Sequence, residues 1–381
     1  MRVDVRGELL RWACERARVP EDVVAKRFPK LGEWESGALQ PTMKQLESFA
    51  KATHTPMGYL FLDKPPVEAV PIPDLRTVKS RGVSRPSADL LDTMYTCQQR
   101  QEWYRSFARS MREDPLLFVG SASLDASVED TAAEIRHALG FHLAERRQCP
   151  TWTEALRRFI GQADELGVLV MVSGIVGSNT RRRLDPDEFR GFALSDDLAP
   201  VVFINGADSK AAQMFTLAHE LAHIWLGQSA LSDVEPVSTT SDAIEDWCNR
   251  VAAELLVPLA VLQQQYRPVA DLQDETARLA RWFKVSTLVV LRRIHDAGGL
   301  TKRQLWNAYR SELERLDGRS KSSGGNFYLS QGARVSKRFA RAIIVSTWEG
   351  RSSFTEAFRL LGVKKMASFR GLSASLGMDF G

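Results

Sequence analysis

Apolar residues recur at helical spacing over most of this chain and change to extended spacing in one stretch only. Residues 7 to 62 carry four or five short helical segments, punctuated by turn signals at Arg18 to Pro20, Gly32, Ser36-Gly37 and Thr55-Pro56. Asp63 to Pro73 holds Pro65, Pro66, Pro71 and Pro73, which predicts an extended, semi-rigid linker. Ala88 to Met111 then reads as one long helix bearing Trp103, Tyr104 and Phe107. Helices over Val128 to Leu139 and Thr153 to Leu166 follow, with Ser127 and Thr151 as caps.

From Gly167 the period becomes that of strands: GVLVMVSG, then FRGFALS, then APVVFIN, with Asp196-Asp197 as a hairpin turn between the last two. Three such strands can form a sheet whose edge holds a peptide backbone in extended form. The basic run Asn179 to Arg183 lies between the first two and reads as a solvated loop, with contact to an acidic substrate or partner as the alternative. Helical spacing returns at Gln213 to Gly227, where Asp208 or Ser209 can cap the start, and at Ala243 to Pro258, where proline ends it. The Ser, Thr, Asp and Pro residues of Ser229 to Asp242 predict a mobile lid between those helices. Further on, Leu279 to Ile294 is a helical pair with Ser286 as cap, and Gly318 to Asn326 a flexible break. Thr355 to Gly377 reads as a helix, a turn at Gly362 and a second helix carrying Lys364, Lys365 and Arg370.

With 381 residues, 44% hydrophobic and 26% charged, the chain suits a soluble multi-domain protein with sizeable cores. The charged N-terminus lacks an apolar export segment and no stretch reaches membrane-spanning length, so a cytoplasmic protein without a membrane partner is expected. Cys14, Cys97, Cys149 and Cys248 are scattered and read as reduced thiols. The net charge of +4 conceals an asymmetry: Leu300 to Gly381 holds 15 Lys and Arg against 6 Asp and Glu, a balance of +9, leaving the remainder near −5. A nucleic acid, if bound, is therefore expected at the C-terminal region through Lys364, Lys365 and Arg370. A helical hairpin that docks a protein would look the same.

Candidate chemistry is concentrated at His219, Glu220 and His223, an H-E-x-x-H pattern. Positions i and i+4 of a helix stand one above the other, so both imidazoles can point at one zinc ion. Glu220, read as lying on the same exposed edge, can act as general base on a zinc-bound water. Two histidines at this spacing on a buried helix are the bland alternative. A catalytic zinc wants a third protein ligand, and Glu245 at the start of the next helix is the first candidate, ahead of Glu254, which reads as a packing carboxylate. Asn249, one turn after Glu245, can orient one of the histidines from behind.

HELAH followed by E-x-W-C-N-x-x-A-A-E-L-L-V-P from Glu245 resembles the ImmA/IrrE metallopeptidases over about residues 150 to 300. The resemblance implies a minimal zincin with two histidines and a glutamate as ligands, acting on repressors in a bacterial or phage regulatory system. Trp34 to Phe61 is similar to the second half of a Cro/C1-type helix-turn-helix domain. Only Pro29 to Glu33 remains there for the helix that would enter the major groove, about a turn too short, so the module is read as degenerate.

The expected fold is α+β and mostly helical. It comprises a degenerate helix-turn-helix domain over 1–66, a linker and helical connector over 67–150, a zincin-like domain of three strands and the H-E-x-x-H helix over 151–299, and a basic helical domain over 300–381. The expected activity is zinc-dependent cleavage of a repressor-like or toxin-like protein. The alternative is a DNA-binding regulator or antitoxin in which the zincin is a sensor or scaffold. Spacing alone does not supply the substrate, its cleavage site, an oxyanion-stabilising residue, the oligomeric state or whether an activating signal is needed.

Overall fold

The structure is a computed structural model that describes residues 2–75, 85–232, 242–317 and 327–378. It divides into two compact units, Met1–Pro71 with Val78–Tyr95, and Ile72–Thr77 with Thr96–Gly381. Among the described residues no helix is long and apolar enough to cross a membrane.

The first unit holds helices Gly7–Ala17, Glu21–Arg27, Leu31–Glu35 and Met43–Ala52 and the 3-10 turn Met57–Phe61. Leu9, Leu10, Trp34, Leu46, Phe49 and Leu60 form its core. Thr42 and Gln45 make a reciprocal capping box at the fourth helix. The guanidinium of Arg16 is buried against Glu68 through bonds of 2.5 and 2.9 Å, so the middle of the proline-rich stretch is tied down by a charged fork. Between Arg27 and Met43 there is only the five-residue helix Leu31–Glu35, with Trp34 turned inward.

The second unit is a mostly helical α+β fold around a small mixed sheet. Strands β1 (Leu169–Ser173), β2 (Gly191–Leu194), β3 (Val201–Asn205) and β4 (Ala230–Ser232) lie in the order β1-β3-β2-β4. β1 is parallel to β3, and the other pairs are antiparallel. Asp196 turns the β2–β3 hairpin by accepting from the N–H groups of Leu198 and Ala199. The expected three-stranded sheet thus has a fourth strand, and it falls within Ser229 to Asp242, the stretch expected to be a lid. Three residues are too few to carry a period-2 signal. The rest of that stretch, residues 233–241, lies outside the described residues, as does the expected break over Gly318 to Asn326.

A second departure concerns the linker. Its far end is strand-like: Leu231 N–H donates to the carbonyl of Pro73 and Leu75 N–H to that of Leu231, each at 3.0 Å, which lays Pro73–Leu75 parallel along the outer edge of β4. Proline cannot donate to a ladder, but Pro73 has only to accept.

Helices Lys210–Trp225 and Ala243–Leu256 pack on each other within the main core. Helices Phe327–Val335 and Lys337–Trp348 lie against β1, and Phe354–Leu361 and Met366–Ser375 pack on those two. Buried Arg100 joins them to the remainder, donating through Nε to Leu360 O at 3.0 Å and through Nη1 to Arg334 O at 3.2 Å. Lys364 and Lys365 precede the last helix, Met366–Ser375, instead of riding on it; Arg370 alone is helical. The Gly362 turn, at φ 66°, consumes the residues between the two helices.

Candidate metal centre

The helix Lys210–Trp225 begins where Ser209 Oγ accepts from the N–H of Ala212, and its apolar run buries every residue from Gln213 on. Its last turns are clamped from outside. Trp225 stacks on Phe118 with ring centroids 4.5 Å apart and donates to Glu134 at 3.3 Å. The second helix starts at Asp242, whose carboxylate accepts from the N–H groups of Ile244 and Glu245 at 2.8 and 3.2 Å, placing Glu245 in the first turn. At its other end Arg136 donates to Glu254 O at 2.7 Å, Arg146 to Leu256 O, and Arg293 Nε to Val257 O at 2.9 Å. Three guanidinium groups thus satisfy carbonyls that a helix end leaves without partners.

This packing brings His219, His223 and Glu245 together, with one ligand atom from each inside a 4.8 Å cluster. The two Nε2 atoms are 3.1 Å apart. His223 Nε2 lies 3.2 Å from Glu245 Oε1, and His219 Nε2 lies 3.3 Å from Oε2. Ligand atoms at about 2.0–2.1 Å from a tetrahedral ion would stand roughly 3.3 Å from one another, so the donor set fits a metal ion. Two imidazoles and a carboxylate converging out of contact with solvent are also a donor set that a cation would hold together. Asn249 Oδ1 sits 3.1 Å from Nδ1 of His219; as an amide oxygen it accepts, which puts the proton of His219 on Nδ1 and leaves Nε2 facing the cluster. Nδ1 of His223 has no partner among the described residues. Glu254 is elsewhere, in a buried pair with Arg293 and accepting from the N–H of Leu259.

Glu220 departs from its expected exposed edge. It is fully buried, and neither carboxyl oxygen has a hydrogen-bond partner among the described residues. The surface is removed by β2: a Cβ added at Gly191 would lie 3.1 Å from Glu220 Oε1, 2.8 Å from Phe203 O and 2.5 Å from Thr216 Cγ2, so only glycine lets strand and helix approach this closely. Burial, then the charge of Glu245, pushes the Glu220 carboxyl well above the usual carboxylate range. Burial acts against ionisation of Glu245 as well, but the histidines, His219 foremost, outweigh it and hold that carboxyl below its ordinary range. Burial lowers the pKa of His223, keeping its imidazole neutral as a ligand must be.

Two residues at the centre were not anticipated. Gly191 was legible only as a glycine opening a strand. Ser232, buried at the end of β4, donates from Oγ to Glu245 Oε1 at 3.2 Å and lies 3.4 Å from His223 Nε2; a serine in a polar stretch carries no signal of this. Lys364, Lys365 and Arg370 are exposed and belong to a different part of the unit.

A buried carboxyl beside two imidazoles and a second carboxylate is a residue set suited to hydrolysis by a metal-activated water. No curated protein matches the chain. Residues 335–374 match the model of a domain of unknown function, DUF8813. Residues 163–295, which contain His219, Glu220, His223 and Glu245, match the IrrE N-terminal-like domain of the M78 peptidases, and this part of the chain is similar to that family.

Proposed function

We propose that the chain is a zinc-dependent metalloendopeptidase acting on a repressor-like or toxin-like protein partner. The observation that carries the reading is the carboxyl of Glu220, fully buried beside the cluster and, among the described residues, with neither oxygen hydrogen-bonded, the nearby Ser232 hydroxyl turning to Glu245 instead. Leaving such a group unpaired costs free energy that packing gives no reason to bear, whereas a base that receives a proton from water needs those oxygens free.

His219, His223 and Glu245 would hold the ion, and two imidazoles with one carboxylate suit zinc. When bound, the metal supplies Lewis acidity and lowers the pKa of its water. Glu220 takes the proton on a carboxyl oxygen and returns it to the leaving amine. Its raised pKa, caused by burial first and the charge of Glu245 second, favours its holding the proton between the two transfers. Asn249 holds the His219 ring, and Ser232 holds one oxygen of Glu245.

An extended peptide pairing with β2 level with Gly191 would need the place that β4 fills. Together with the complete burial of the histidines, this supports an enzyme that must open before it acts. The same burial is what favours the second reading, a DNA-binding regulator or antitoxin that keeps the centre as a sensor or scaffold.

Glu220→Gln separates the two. At equal zinc loading, wild type and variant are incubated with a genetically adjacent repressor or toxin, and new N-termini are counted by mass spectrometry. Cleavage should fall by roughly two to four orders of magnitude in the variant. Cleavage that persists unchanged removes the mechanism; a silent wild type, with both proteins regulating a reporter equally, establishes the scaffold.

A further inference from the structure

The basic run Asn179 to Arg183 and the basic turn after Gly362 are some 180 residues apart in sequence, and neither takes part in the metal centre. The structure joins them. Ile175 pairs with Arg183 and Val176 N–H donates to Arg182 O at 3.0 Å, which folds residues 175–183 into a tight hairpin immediately after β1. At its tip Ser178 Oγ donates to the carbonyl of Gly362 at 2.8 Å, and a Cβ at Gly362 would lie 2.9 Å from that oxygen. Arg181 is three residues from this contact and Lys364 two, so their Cα atoms lie within roughly 11 and 7 Å of it even if the chain were fully extended.

Arg181, Arg183, Lys364, Lys365 and Arg370 are all exposed, and among the described residues none of these side chains pairs with a carboxylate. Many other arginines here are paired, as Arg105 is with Asp196, Arg250 with Asp246 and Arg338 with Glu113. Asp185 and Asp187 follow the hairpin, but Asp185 Oδ1 accepts from the N–H of Asp187 instead of answering an arginine. The helix Met366–Ser375 opens at Lys365 with no side-chain cap, so its first N–H groups add to the positive field. Side chains at the hairpin tip, Ser178, Asn179 and Thr180, are short and polar and provide no apolar anchor for a protein partner.

We propose that the 175–183 hairpin and the Gly362–Arg370 segment form one composite surface that binds the phosphate backbone of nucleic acid. Arginine forks and helix N–H groups take phosphate oxygens without reading base edges, so the surface confers affinity and not sequence choice. This role falls partly on the domain of unknown function at 335–374, and it stands independently of the peptidase reading.

The test uses the full chain and a fluorescein-labelled 20-base-pair duplex of arbitrary sequence, with binding followed by anisotropy from 50 to 200 mM salt. Four or five phosphate contacts give a log–log salt slope near about −4. Arg181→Ala/Arg183→Ala and Lys364→Ala/Lys365→Ala should each weaken binding by roughly tenfold at low salt and reduce the slope by about 2. Arg181→Lys/Arg183→Lys, which keeps the charge, should retain most of both. An Arg181→Ala/Arg183→Ala protein that binds like wild type would overturn the composite surface. So would a wild type that ignores DNA at 50 mM salt, or one that prefers a polyglutamate peptide.

Discussion

Asn249 Oδ1 and His219 Nδ1 stand 3.1 Å apart, and this one contact fixes which nitrogen of His219 faces the cluster. Removing it frees the ring to rotate and the tautomer to change. Asn249→Ala should therefore lower zinc affinity by about 10- to 100-fold at unchanged stability, as competition with a chromophoric chelator would report. Wild-type affinity in that variant would assign Asn249 to packing alone.

Glu245 and Glu254 sit on one helix and predict opposite outcomes. Glu245→Ala should lose the metal, since it removes a carboxylate whose Oε2 lies 3.3 Å from His219 Nε2 and whose Oε1 lies 3.2 Å from His223 Nε2. Glu254→Ala should keep it but remove one of the two carboxylate partners of the buried Arg293 guanidinium, which retains Asp296 and the Val257 carbonyl, at a cost of about 1–3 kcal/mol in urea unfolding. Metal content by mass spectrometry decides, and a Glu254→Ala protein that is stable yet free of zinc would exchange the two roles.

The strap Pro73–Leu75 closes the outer edge of β4, and β4 delivers Ser232 to the centre. Leu75→Pro deletes the N–H that donates to Leu231 O. The loss of about 1 kcal/mol of hydrogen bonding should speed zinc transfer to a chelator by about fivefold, with the circular dichroism spectrum unchanged. Transfer at the wild-type rate would show that the edge does not gate access.

Asp164 links the zincin part to the last helices, accepting from Ser336 Oγ at 2.8 Å and from the N–H of Lys337 at 3.2 Å. Burial raises its pKa from 3.8 to about 6, against these hydrogen bonds. Because the folded-state value is the higher one, its contribution to stability is fully present below about pH 3.8 and is lost as pH rises through about 6. The unfolding free energy of wild type relative to Asp164→Asn should fall by up to about 3 kcal/mol between pH 4 and pH 7. A difference that stays flat across that range would refute the assignment.

The helices were legible because their determinants are local. Ser127, Thr151, Ser209 and Ser286 cap the helices they precede, and the apolar period carries each segment to its end. The juxtaposition of His219 and His223 was legible for the same reason, since a spacing of four on a helix is geometry written in one dimension.

What the tertiary structure alone decided depends on segments distant in the chain. β4 is three residues long and exists because β2 offers an edge on one side and Pro73–Leu75 covers it on the other. The burial of Glu220 depends on Gly191 lying across it, so a carboxyl read as exposed is enclosed, and its proton affinity changes sign of purpose from solvated charge to base. Arg181 and Lys364 share a surface only because Ser178 reaches Gly362. Local sequence determines which backbone each segment adopts, whereas burial, and with it pKa and partner choice, is a property of whatever the rest of the chain places on top.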